Sequence, residues 1–111
     1  MILKPSEVTH FDNLHSGTGS VIIEKILQPG TVDGLDLFAK VTVEVGANIG
    51  YHEHTDDSEG YYILSGEAEF MDSDQSVRKA WPGDLCLIVK GESHGIVNIG
   101  KAPLIFLAVV F

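Results

Sequence analysis

The chain has 111 residues, enough for one domain with a single core and too few for two independent ones. Hydrophobic residues make up 44% and charged residues 21%, the profile of a folded globular protein and not of a disordered one. Seven Lys and Arg against sixteen Asp and Glu leave a formal charge of −9, which argues against nucleic acid or an anionic membrane as the main partner and leaves cations welcome.

The first nineteen residues are the more polar part and end in Ser16-Gly17-Thr18-Gly19. Residues 1–19 are therefore expected to form an arm that packs on the domain or on a second subunit, and residues 20–111 a single barrel domain. Residues 1–10 show no basic stretch followed by an apolar core, so no signal peptide is expected. From residue 20 onward, short apolar-alternating runs recur between Gly, Pro and Asp clusters, which predicts an all-β sandwich or barrel nearly devoid of helix. Strands are expected over residues 20–27, 35–45, 49–54, 59–65, 67–72, 76–80, 84–89, 94–99 and 104–111. In the clearest of them Leu37, Ala39, Val41, Val43 and Val45 share one face, and Asp36, Lys40, Thr42 and Glu44 the other. Gln28-Pro29-Gly30, Ser65-Gly66, Asp72-Ser73-Asp74, Trp81-Pro82-Gly83 and Lys90-Gly91 supply the chain reversals. The longest apolar run, residues 103–111, is about half of what a membrane helix needs. Cys86 is the one cysteine; it cannot close an intramolecular disulfide, which fits a reducing compartment, and a cytoplasmic protein is expected.

The chemistry concentrates in Gly50-Tyr51-His52-Glu53-His54. On a strand, residues two apart point to the same face with α-carbons about 7 Å apart, so both imidazoles can reach one ion at roughly 2 Å. Glu59 follows a polar turn, Thr55-Asp56-Asp57-Ser58, and adds a carboxylate if that turn brings the chain back beside the first strand. Charge is uneven around these residues: between positions 41 and 77 there are nine acidic side chains and no Lys or Arg, a negative field that attracts cations.

These residues belong to a two-part pattern. Gly46, five residues, His52, one residue, His54, four residues, Glu59, six residues and Gly66 form its first half. After sixteen residues come Gly83, five residues, Val89, one residue, Gly91, two residues, His94, three residues and Asn98. In these spacings the chain resembles the cupin superfamily, and in the runs Glu59-Gly60-Tyr61-Tyr62-Ile63-Leu64-Ser65-Gly66-Glu67 and Gly91-Glu92-Ser93-His94 it looks most like the small single-domain cupins related to oxalate decarboxylases. It departs where that superfamily usually has Pro and this chain has Val89.

The resemblance implies a double-stranded β-helix of the jelly-roll type, with His52, His54, Glu59 and His94 as ligands of one divalent metal. Three imidazoles and a carboxylate suit Mn, Fe, Co, Ni, Cu or Zn better than Ca or Mg, and the resemblance puts Mn or Fe first. Six-coordination would leave two adjacent positions for a chelating ligand. A metal-dependent enzyme acting on a small carboxylate or oxo acid is therefore expected, of decarboxylase, dioxygenase or isomerase type; the alternative is a metal-bearing binding or sensor module without turnover. The resemblance also implies a homodimer, which would cover exposed sheet surface.

Tyr61 shares the strand face of Glu59 and is the candidate proton-handling side chain. Tyr62 should point the other way. His10 and His15 read as surface histidines of the arm, and Asp56 and Asp57 as solvated turn residues, either of which could approach the pocket mouth as an acid or base. Cys86 reads as a small buried hydrophobe; Phe38, Phe70, Phe106 and Trp81 read as packing aromatics. Asn98 is expected to stabilise a turn, and Gly46, Gly66, Gly83 and Gly91 to mark the fold.

Overall fold

A computed structural model describes residues 1–4 and 7–111. Its strands are β1 (Glu7–Asp12), β2 (Ser20–Leu27), β3 (Leu37–Val43), β4 (Asn48–Glu53), β5 (Glu59–Ser65), β6 (Ala68–Met71), β7 (Val77–Ala80), β8 (Leu85–Ile88), β9 (Ser93–Asn98) and β10 (Leu104–Val110). Strands β2 to β10 correspond one for one to the nine expected from alternation. All ladders are antiparallel, and they build a six-stranded sheet in the order β1-β2-β3-β10-β5-β8 and a four-stranded sheet in the order β4-β9-β6-β7. The non-sequential order is that of the double-stranded β-helix: each sheet receives strands from both halves of the chain. The only helical element among the described residues is a 3-10 turn, Leu14–Ser16.

Period-two alternation sets which faces meet. Val43, Val41 and Ala39 of β3 stand opposite Leu104, Phe106 and Ala108 of β10 in direct register, and all six are at most 2% exposed. Facing them from the other sheet are Ile49, Ala68, Phe70 and Ile96, in one continuous core. Each fully buried Ile, Leu or Phe contributes about 1.5–3 kcal/mol relative to an exposed one. The expected inner row ends earlier than alternation predicts. Strand β3 stops at Val43, the amide of Ala47 donates to the Glu44 carbonyl (3.0 Å) to close a turn, and Val45 lies outside the core at 55% exposure.

Two turns show how local chemistry holds the strands in place. Gly66 adopts φ +94°, and a Cβ there would lie 2.9 Å from the Leu104 backbone, so only glycine fits between β5 and β6. Val89, where the resemblance leads one to expect proline, uses the amide that proline lacks: its N–H donates to Glu92 Oε1 at 2.8 Å, while the Glu92 amide donates to the Val89 carbonyl at 2.9 Å. Asn98, 4% exposed, donates from Nδ2 to the carbonyls of Val43 (3.0 Å) and Ala102 (2.9 Å) and accepts from the Gly100 amide (2.9 Å). It thereby ties the β9–β10 turn to β3.

The first residues add a tenth strand. Strand β1 pairs with β2, Glu7 opposite Lys25, and these two form a 3.4 Å ion pair. Beyond β1 the chain folds onto β4. The Thr18 amide donates to Asn48 Oδ1 (2.6 Å), and the Asn48 amide donates to the Thr18 carbonyl (2.9 Å).

Candidate metal centre

The site lies between the two sheets. His52 on β4 and His94 on β9 are cross-strand partners in the four-stranded sheet, whereas Glu59 opens β5 in the six-stranded sheet, opposite Val110 and Ile88. His54 follows the end of β4, held by its amide donating to the Glu92 carbonyl (2.9 Å) and its carbonyl accepting from the Gly91 amide (2.7 Å).

An uninterrupted strand would not bring His52 inward. Ile49 is 5% exposed and packs in the core, and residues three apart on a regular strand face opposite sides. The ladder shifts register between Ile49, opposite Ile96, and His52, opposite His94. Three residues of β4 are thus spent against two of β9, a β-bulge that re-aims His52 to the core side. Gly50 sits in that bulge, and its carbonyl accepts from His52 Nδ1 at 2.7 Å.

Four donor atoms, one each from His52, His54, Glu59 and His94, lie within 4.8 Å of one another. His54 Nε2 is 3.2 Å from His52 Nε2, and Glu59 Oε1 is 3.0 Å from both His54 Nε2 and His94 Nε2. The partners of the far ring atoms decide what these distances mean. A carbonyl only accepts, so His52 carries its proton on Nδ1; the carboxylate of Asp57, 2.6 Å from His54 Nδ1, likewise fixes that proton. In the neutral rings both Nε2 atoms then present lone pairs to each other and to a carboxylate. A cation resolves that convergence, and the nitrogen and oxygen donors are those that transition ions take. Donor separations of 3.0 and 3.2 Å are those of atoms that can share one ion held at about 2.1 Å from each. These four residues therefore fit one divalent ion.

Burial lowers the pKa of His52 to about 4, against the opposing pull of the Gly50 carbonyl and with help from His15, His94 and His54. The ring is thus kept neutral, the form a metal requires. His94 is fully buried, and its Nδ1 has no hydrogen-bond partner among the described residues. Its ring stacks on Tyr61 at 4.8 Å and 23°, and Tyr61 rests in turn on Phe106 at 4.3 Å. The Tyr61 hydroxyl is 3.4 Å from His94 Nε2. Burial, then the Glu59 carboxylate, pushes its pKa well above the ordinary tyrosine value, so the phenol holds its proton.

Two side chains carry more than their sequence reading assigns. Asp57, expected to be solvated, is half-buried and orients His54. His15, expected at the surface, is exposed on one side but stacks on His52 with ring centroids 3.7 Å apart and planes at 11°. No spacing rule links residue 15 to residue 52, since their contact arises from the fold of the arm. His10 keeps its surface reading, bonded to the Ser20 hydroxyl, and Asp56 stays exposed.

The centre opens into a cavity of ≈ 320 Å³, apolar apart from His15, His52, His54, Asp57, Glu59 and Tyr61. A larger cleft of ≈ 420 Å³ lies between β7 and β8, away from the imidazoles, and Cys86 borders it. Burial, then Asp84 and Asp72, pushes the Cys86 thiol up to about 11. The thiol is therefore neutral at any pH well below that value. Its alkylation by iodoacetamide at pH 8 is expected to run about a hundredfold slower than for a free cysteine and to gain about tenfold per pH unit; a rate matching that of a small thiol would contradict the burial.

Comparison with known proteins agrees with the geometry. The sequence profile of the cupin domain family, Cupin_2, matches residues 39–110. An oxalate-binding protein of Thermotoga maritima is 38% identical over 114 residues, covering 99% of this chain and 93% of its own. The crystal structure of a predicted oxalate decarboxylase from Thermotoga maritima superposes with a TM-score of 0.92 at 35% identity, over 100% of this chain and 98% of that one. The polyketide cyclase RemF from Streptomyces resistomycificus, 22% identical, shares the fold with a TM-score of 0.75 over 99% of this chain and 78% of its own.

Proposed function

The chain belongs to the cupin family, and from that membership we propose that it binds one divalent transition ion through His52, His54, Glu59 and His94 and takes oxalate or a similar small carboxylate as its ligand there. The observation that carries this reading is the convergence of imidazole lone pairs and the Glu59 carboxylate at the floor of a small cavity. The kinship with an oxalate-binding protein supports the ligand class. We put Mn or Fe first among the ions, since three imidazoles and Glu59 joined by the oxygens of a carboxylate ligand make a mixed nitrogen and oxygen shell that both accept; Zn, Ni, Co and Cu fit the same donors. Such an ion, when bound, supplies a Lewis acid to carboxylate oxygens.

Around it the protein orients two ligand imidazoles through the Gly50 carbonyl and Asp57, and excludes water with apolar walls. Tyr61, the candidate for handling protons, is suited to donating a hydrogen bond and not to titrating. Both carboxylates lining the cavity are committed, Glu59 to the cluster and Asp57 to His54. For this reason we favour binding over turnover as a decarboxylase, dioxygenase or isomerase.

We also propose that the molecule is a homodimer of one barrel, residues 20–111, with its arm, working in the cytoplasm, where the single buried Cys86 stays reduced. The outer face of the large sheet carries cross-strand rows Leu107, Tyr62, Leu85 and Val109, Gly60, Leu87. Tyr62, Leu85 and Leu87 are 44, 60 and 46% exposed, an apolar patch that a second copy would cover.

Calorimetric titration of the protein with Mn²⁺ and then oxalate tests the reading, alongside oxygen uptake, carbon dioxide release and light scattering on the same preparation. Oxalate binding that requires the ion, without product, at twice the chain mass is the expected result. Product formation would move the protein to the enzymes, and ion-independent oxalate binding would overturn the metal role.

A further inference from the structure

The ligand cavity contains one polar side chain with no assigned task. His52, His54 and Glu59 face the ion position, Asp57 accepts from His54, and the Tyr61 hydroxyl lies against His94 and Glu59. Among the described residues no Lys or Arg lines the cavity, although its proposed ligand is an anion placed beside two carboxylates. The remaining polar group is the imidazole of His15, whose ring nitrogens make no hydrogen bond among the described residues.

Its position is built, not incidental. The turn that carries it places three non-glycine residues in the left-handed region, Asn13 at φ 58°, His15 at 51° and Ser16 at 62°, a conformation uncommon in non-glycine residues that the surroundings here help to impose. The imposing partner is the bulge of β4. A Cβ on Gly50 would lie 2.0 Å from the His15 carbonyl oxygen and 2.8 Å from the Gly17 nitrogen, so the turn seats there only because residue 50 is glycine. The same bulge aims His52, and the His15 ring lies parallel against it.

We propose that His15 is a ligand-binding residue, donating an N–H hydrogen bond to an oxygen of the carboxylate ligand that the ion does not hold. This rests on the oxalate reading above. A neutral imidazole retains one N–H, so the role needs no added charge. The arm thereby contributes an N–H donor to the cavity in which the anion would sit.

Calorimetry on His15→Phe and His15→Gln separates this role from mere support of His52. Phenylalanine keeps a ring to stack and has no N–H; glutamine keeps N–H donors and has no ring. Mn²⁺ affinity is expected to stay close to wild type in His15→Phe, while oxalate affinity of the Mn²⁺-loaded protein falls by about tenfold or more, as for loss of one hydrogen bond to a charged group. His15→Gln is expected to recover part of that loss. Unchanged oxalate affinity in His15→Phe would overturn the assignment alone. A fall in Mn²⁺ affinity that accounts for the whole loss would do the same, leaving His15 a support of His52. A wild-type protein that binds Mn²⁺ but no oxalate would overturn the assignment and the oxalate reading together.

Discussion

Glu59→Gln and His94→Ala proteins are expected to emerge from chelator-free purification without bound transition metal, while Asp57→Asn protein retains it weakly. Glu59 supplies the one negative donor, and its oxygen stands 3.0 Å from two imidazole nitrogens; an amide of the same shape removes the charge and sets N–H groups among lone pairs. His94 is fully enclosed, so water cannot take its place without filling a new hole. Asp57 acts one bond further out by fixing the proton of His54 on Nδ1, and loss of such an outer partner costs roughly 10–100-fold in metal affinity. Removing a ligand itself must cost more, which sets the order of the three variants. Elemental analysis and Mn²⁺ titration read that order, with circular dichroism confirming that each variant is folded. Wild-type affinity in folded Glu59→Gln protein would contradict it.

Phe106→Ala is expected to have the largest effect on stability. Phe106 lies on β10 between β3 and β5, is fully buried and supports the Tyr61 ring that backs His94. Truncating a buried Phe costs about 3–5 kcal/mol, part of it from the cavity left behind, against a total stability of about 5–15 kcal/mol for a domain. For a chain of this size that is a fall in melting temperature of at least about 10 °C. Thermal unfolding followed by circular dichroism measures it; an unchanged midpoint would mean that the core is not where the fold places it. Because Tyr61 and His94 rest on this ring, metal affinity is expected to weaken as well, but by less than in Glu59→Gln.

The strands were legible because one face of each is buried and side chains alternate, so Val43, Val41 and Ala39 announce their row without any knowledge of β10. The four clustered residues were legible through the spacing of His52, His54, Glu59 and His94, shared with a known family. Local periodicity alone would have misled at this point: with Ile49 in the core, a regular strand turns His52 outward, and only the register shift against β9 brings it back. That shift is a property of two strands and leaves no mark on either one alone. His15 was missed for the same reason. Its contact with His52 depends on a left-handed turn at non-glycine residues, which sequence propensities disfavour, and on a clearance at Gly50 that is visible only when the arm is seated. Asp57 looked like any acidic turn residue until the turn brought it back against His54.

The most direct measurement is anomalous diffraction from crystals of the protein grown with Mn²⁺ or Zn²⁺. A single ion bound within about 2.2 Å of His52 Nε2, His54 Nε2, His94 Nε2 and a Glu59 oxygen is the predicted result. An ion seated elsewhere, or these four side chains turned away from a common point in the loaded protein, would contradict it.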